Sequence, residues 1–458
     1  MAQVASITHF TRDKWLNRQS TVQRSISGFV YERDSQVAKI DQYLQDNPNT
    51  SLKDALTHFK TVINHAYQMS INLQKAYIGD NSVGQILAMD FVERRIDYGP
   101  YPPEHIINTV MQQSVIDINM VHQSINQRMK YDENMEQLQT LYDADILAHH
   151  ALAPARTAGF LPEMTLIITH LQERALARTN PYYPSLFLGL PYLTGPFELG
   201  AGLDYLVIPH EVGHLLYRNG QTQDQQGVQQ VLTKKITSFG WIGRWAEELF
   251  ADYYGCLIAG PISVLGFQEM LIDDSYAQFE ADSPRHPIPQ LRPLIQSRML
   301  RKINAAYGPA ADRLDARWRD AMQGRGKSGT NVLKETFVIR GTNQTVTGQA
   351  ILEKADQVID VITQLLQPLN ADAWSGDFTT DVESINSFNQ YAVDTLLKPL
   401  PATTPPETHT FLDRVQAFHQ AFVSATNGSK SMKLSDWEDL IFVASWSTGG
   451  GEKDSGPD

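Results

Sequence analysis

A single cysteine, Cys256, stands in a chain of 458 residues, so no intrachain disulfide can form and the fold must hold by packing alone. That usage suits a reducing compartment, although secreted bacterial enzymes also do without cysteine. Long apolar runs are missing too. The richest stretch, LFLGLPYLTGPFELGAGLDYLVIP (186–209), is interrupted by Glu198, Asp204, three prolines and four glycines. It falls short of the roughly 20 apolar residues that a membrane-spanning helix requires. The opening residues, MAQVASITHFTRDKWLNRQSTVQRS, lack the basic start and apolar centre of a secretory signal. Positive charge is scarce: 38 Lys and Arg stand against 51 Asp and Glu, a net charge of -13, with no local basic stripe. A nucleic-acid-binding surface is therefore not expected. The acidity reads as solubility, and the expectation is a soluble, cytoplasmic protein without an integral membrane segment.

What is present describes a folded enzyme-sized chain. Apolar residues make up 42% and charged residues 19%, the balance of a globular protein, and the length allows two or three domains. Residues 35 to about 150 carry apolar side chains at three-to-four spacing and read as helices. Ser51, with Asp54 in the following turn, looks like a helix N-cap, and Pro102-Pro103 marks another helix start. The character changes near Ala153-Pro154. MTLIITHL (164–171) and SLFLGLPYL (185–193) read as strands, and Pro191, which cannot donate a ladder hydrogen bond, points to an edge strand for the second. Helices then return, with a hairpin at 335–348, helical blocks at 351–369 and 409–425, and a polar tail expected to be disordered. The fold class expected is α+β, predominantly helical. Its parts are an N-terminal helical region (1–155), a core with a small sheet (156–300), a mostly helical C-terminal region with a hairpin (301–447) and the tail (448–458).

The chemistry is concentrated in VIPHEVGHLLY (207–217), which contains the H-E-x-x-H pattern. Residues four apart on a helix lie one above the other, so His210 and His214 can reach one ion. Glu211 points about a quarter-turn away, where it can act on a water beside the metal as a general base. Gly213 leaves room for a neighbouring element, and Pro209 means that the helix starts close by or bends there. A buried helix with two satisfied histidines is the plain alternative.

Catalytic zinc usually has three protein ligands. The longer pattern H-E-x-x-H-x-x-G-x-x-H is excluded, because Tyr217 stands at its glycine position and Gly220 at its final histidine position. WAEELFADYYGCLIAG (245–260) offers a carboxylate instead. Glu248 and Asp252 lie four apart on one helix face, and Ala251 and Gly255 are small enough for close helix packing. Glu248 can complete the ligand set, while Asp252 can accept the far N–H of a ligand histidine and set its tautomer. The alternative is that Glu247, Glu248 and Asp252 form a solvated acidic face.

HEVGH followed by Glu248, Ala251 and Asp252 resembles the gluzincin metallopeptidases, most closely the soluble relatives of the CAAX-endopeptidase and heat-shock-protease branch. RHPIPQLRP (285–293) adds the H-P-x-x-x-x-R spacing of that group. The resemblance covers residues 164 to 300. It implies a zincin-like catalytic core and one Zn2+ per chain held by His210, His214 and Glu248. It further implies Glu211 as general base, His286 as a donor to the reacting carbonyl, and Arg292 bracing the site. It also implies a protein or peptide substrate, paired in extended form with SLFLGLPYL as an edge strand. Three other classes stay open, and two of them keep the metal: a non-catalytic zinc-binding scaffold, and a zinc hydrolase of some other bond. A helical interaction protein without metal is the third. Cys256 reads as a small buried core residue, and His149, His150 and His170 as structural or surface groups.

Overall fold

The structure is a computed structural model that describes residues 2–78, 103–162, 165–172, 176–180, 185–191, 207–272, 279, 283–324, 335–340, 342 and 344–369. The chain is predominantly helical with a small sheet. Among the described residues no helix is long and apolar enough to cross a membrane. The helical block expected at 409–425 and the tail lie outside the described residues.

Among the described residues four helices come first: α1 (Ala2–Asp46), α2 (Lys53–Ile78), α3 (Pro103–Arg128) and α4 (Met135–Thr157). Helix α1 begins well before the start read from periodicity. Helix α2 begins two residues after the expected cap Ser51, and it is the Thr50 hydroxyl that accepts the Leu52 amide, at 3.3 Å. Helix α4 is capped by Asn134, whose side chain accepts from the Gln137 amide at 3.0 Å, covering one of the orphan donors of the first turn.

Among the described residues three strands follow: β1 (Leu166–Gln172), β2 (Leu176–Asn180) and β3 (Ser185–Pro191). Their order is β1-β3-β2, with β1 parallel and β2 antiparallel to β3. This corrects the expectation that 185–191 is an edge strand: it is the central one. Proline is tolerated there because β2 pairs only as far as Gly189, so the missing amide of Pro191 removes no bond on that side. Strand β2, LARTN, has too little apolar alternation to be read from sequence.

The outer edge of β1 is covered by side chains of α3. The Thr169 carbonyl accepts from Ser124 Oγ at 2.8 Å and from an Arg128 guanidinium N–H at 2.9 Å. Gln127 pairs with both backbone groups of Leu171, at 2.8 and 2.7 Å, much as a neighbouring strand would. Beneath this edge a buried ion pair joins Arg128 to Asp145 at 2.8 Å, with Thr169 Oγ1 and His58 Nε2 on the same carboxylate. Burial opposes ionisation of Asp145, but Arg128, His58 and Thr169 hold its carboxyl well below the ordinary range.

Beyond the sheet come α5 (Ile208–Asn219), α6 (Val228–Ile236), a 3-10 segment (Thr237–Trp245), α7 (Ala246–Ala259), α8 (Pro261–Ile272) and α9 (Arg292–Ile303). Then follow α10 (Gly308–Gly324), the hairpin β4 (Thr336–Ile339) and β5 (Gln344–Thr347), and α11 (Gly348–Leu366). Helix α7 is buried on nearly every face and packs against α5, α6, α8, α9 and α11, which is why it lacks a clean polar stripe. One apolar cluster runs from Ala144 on α4 through α5, α7 and α9 to Leu369. The boundaries expected at 155 and 300 therefore fall inside α4 and α9, within this shared core.

Candidate metal centre

Helix α5 starts where its sequence dictates. Pro209 occupies the first turn, where its absent amide costs nothing, and Glu211 in that turn and Arg218 in the last complement the helix dipole. His210 and His214 consequently sit on one face, one turn apart, and both are buried. Gly213 lies against α7 so closely that a Cβ there would stand 2.8 Å from Ala251 Cα. Gly255 lies more loosely against α5: a Cβ there would stand 3.5 Å from His210 Cα, an ordinary contact, and 3.2 Å from Ser263 Oγ. These small residues bring the histidines of α5 within reach of the carboxylates of α7.

The two Nε2 atoms face each other at 3.2 Å. Glu248 closes the group, with Oε1 3.6 Å from His214 Nε2 and Oε2 3.7 Å from His210 Nε2. All three ligand atoms lie within 4.8 Å of one another. Tetrahedral zinc with bonds of ~2.0–2.1 Å sets its ligand atoms ~3.3–3.4 Å apart, so the spacing is that of a site for a small cation. Two imidazole lone pairs directed at each other repel unless a proton or a metal ion lies between them. A buried His210, His214 and Glu248 group that can hold a metal ion is thus present in the fold.

Each histidine of the group has a carboxylate behind it. His210 Nδ1 is 3.0 Å from Asp252 Oδ1, and His214 Nδ1 is 3.0 Å from Glu247 Oε1. Arg292, the first residue of α9, reaches between the two carboxylates of α7. It donates to both oxygens of Asp252 at 2.8 Å and to Glu248 Oε2 at 2.9 Å. Burial opposes ionisation of both carboxylates, but Arg292 and His210 hold Asp252 well below the usual carboxylate range, and His214 and Arg292 lower Glu248 as well. The same carboxylates drive Arg292 further up despite its burial. Without metal, burial opposes charge on His214, yet Glu248, Glu247 and Glu211 push its pKa up to about 9.

Glu211 is nearly buried, and among the described residues its Oε2 has no hydrogen-bond partner. A carboxylate oxygen in that condition is costly unless a ligand, ion or water completes it. His286 stands on the loop before α9 with Nε2 3.3 Å from Glu248 Oε1, and its Nδ1 lies 3.2 Å from Ser283 Oγ. Burial lowers its pKa, partly offset by Glu248. The Phe267 ring of α8 stands edge-on to His210 at 5.0 Å and under the Arg292 guanidinium at 4.8 Å, an apolar wall for the group.

The fold thus gathers every sequence-derived candidate: His210, Glu211, His214, Glu248, Asp252, His286 and Arg292. Sequence reasoning left Glu247 on an acidic face and passed over Arg218 and Phe267. The neighbouring pair Glu247-Glu248 carried the only signal for the first, and α8 carried none for the last. No family model, curated protein or solved structure matches this chain.

Proposed function

We propose that the chain is a zinc-dependent peptidase of the gluzincin type, with a zincin-like core built on α5 and α7. The observation that carries this reading is Glu211. A buried carboxylate with an unpartnered oxygen, one residue from a ligand histidine, serves no purpose in a purely structural site and is what a water-activating base requires. His210, His214 and Glu248 would hold Zn2+. Bound there, the ion supplies Lewis acidity to a substrate carbonyl and brings the pKa of a water near neutrality.

The chain's own groups divide the remaining work. Glu211 takes a proton from the attacking water and passes it to the leaving nitrogen. His286 donates to the oxygen on which charge develops. Arg292 keeps Glu248 and Asp252 ionised, and Asp252 keeps the His210 ring oriented with Nε2 turned inward. A peptide in extended form would pair with the outer edge of β2. The outer edge of β1 is already covered by α3, and β3 is flanked on both sides.

Elemental analysis of the purified protein, followed by a peptide-library digest, tests the proposal. The expected result is close to one zinc per chain, removable by chelator, and cleavage that Glu211→Gln abolishes while leaving zinc content unchanged. Protein that takes up no metal when zinc is supplied at neutral pH overturns it.

A further inference from the structure

The carboxylate next to the ligand Glu248 faces the second histidine. Glu247 precedes it on α7 and so points ~100° round the helix, toward the last turn of α5. There its Oε1 receives two groups at once: His214 Nδ1 at 3.0 Å and Arg218 Nε at 2.7 Å. Arg218 lies one turn beyond His214 on the same helix, so the guanidinium and the imidazole stand side by side above one oxygen. Asp252 Oδ1 lies 3.0 Å from His210 Nδ1 on the other side, off the hydrogen-bonding direction, and Arg292 holds Asp252 as Arg218 holds Glu247. The group therefore has two arms of the same build: arginine, carboxylate, histidine.

The two arms differ in their surroundings. Asp252 and Arg292 are sealed in the core, with side-chain exposures of 0% and 8%. Glu247 and Arg218 retain 25% and 16%. The Glu247 arm is the one that solvent and solutes reach.

We propose that Arg218 and Glu247 form a positioning relay that keeps the His214 ring with Nδ1–H outward and Nε2 toward the metal, and so sets how tightly the centre holds its ion. The proposal rests on the metal-binding reading above. An imidazole whose Nδ1–H is engaged presents its Nε2 lone pair; released, the ring is free to carry its proton on Nε2 and to turn. Arg218 holds the carboxylate at the correct height, because the torsions of a glutamate would otherwise let it swing to solvent. Neither residue touches substrate, and both act through His214.

Two measurements on the full chain test it, using Glu247→Ala, Glu247→Gln and Arg218→Met. The first is zinc affinity by competition with a chromophoric chelator. Losing such a partner weakens metal binding by about 10- to 100-fold. Glu247→Ala is expected in that range. Glu247→Gln, which keeps an acceptor for Nδ1–H, is expected to recover part of the loss, and Arg218→Met to fall between wild type and Glu247→Ala. The second measurement is the 15N spectrum of the histidine rings in metal-free protein, at an alkaline pH where the ring shifts themselves show His214 to be neutral. Wild type should show the Nδ1–H tautomer at His214, and Glu247→Ala should lose it. An unchanged tautomer overturns the relay, as does zinc affinity within twofold of wild type in both Glu247 variants. If wild type binds no zinc, the metal reading falls, and the ring spectra alone still decide whether Glu247 positions His214.

Discussion

The contact between Gly213 and Ala251 makes a sharp prediction, because two elementary effects oppose each other there. Alanine is the better helix former, and in an open helix Gly→Ala gains ~1 kcal/mol. At 213, however, the new methyl would stand 2.8 Å from Ala251 Cα and 3.1 Å from both the Ala251 carbonyl oxygen and Tyr254 Cβ. Ordinary carbon contacts are ~3.5–4.0 Å, so α5 and α7 must part by about 0.7 Å or more. The obstacle is helix backbone, which cannot rotate aside as a flexible side chain would. Overpacking of this kind costs ~1–3 kcal/mol. Taken at the upper end and set against the propensity gain, Gly213→Ala should lose about 2 kcal/mol. Denaturant unfolding measures this directly.

Gly28 on α1 is the control, for nothing lies within 4 Å of its Cβ position, and Gly28→Ala should gain about 0.5–1 kcal/mol. The same displacement separates the histidines from Glu248 by more than the ~0.2 Å that a metal site tolerates. Zinc affinity of Gly213→Ala should therefore fall about tenfold or more by chelator competition. If Gly213→Ala proves as stable as wild type, or shares the gain of Gly28→Ala, the close approach of the two helices is not what shapes this site.

Arg292→Met leaves Glu248 and Asp252 buried without their shared cation, and breaking such a pair costs ~3–5 kcal/mol; unfolding free energies within 1 kcal/mol (about) of wild type would contradict that account. Arg128→Met does the same to Asp145 and strips the β1 edge of two donors, so a loss of similar size is expected in the same assay. Metal binding should depend on pH with a defined sign. In metal-free protein His214 keeps its proton up to about 9, and the ion must displace it. Apparent zinc affinity should then rise about tenfold per pH unit through the neutral range and level off above pH 9, as isothermal titration can show. A flat profile between pH 7 and 9 would mean that the proton is not held at His214.

Much of this was readable from the residues in order. The three-to-four periodicity announced most of the helices, β-branched and apolar runs marked 166–172 and 185–191, and the hairpin at 335–348 stood out by its turn residues. The His210, His214 spacing and the Glu248, Asp252 spacing each occupy one face of one helix, with Glu211 a fixed step round from the first, and a helix face is a local property. Three features escaped. Strand β2 carries too few apolar residues to announce itself. The central place of β3 was hidden because proline reports what a strand cannot donate, not how many neighbours it has. The role of Glu247 was hidden because it and Glu248 are adjacent carboxylates, and only the rotation of α7 about its axis decides which one meets the two histidines.

The division has a physical reason. Sequence by itself determined whatever depends on covalent order and helical repeat: which residues share a face, where helices start, and which side chains can bind a metal or move a proton. Tertiary structure alone decided what depends on the approach of distant segments. It set α5 against α7 through Gly213 and Gly255, brought Arg292 across from α9 to hold two carboxylates, covered β1 with the side chains of α3, and turned Glu247 toward His214. These contacts join residues 33 to 45 positions apart, and such pairings follow from how the whole chain packs its core rather than from any local pattern.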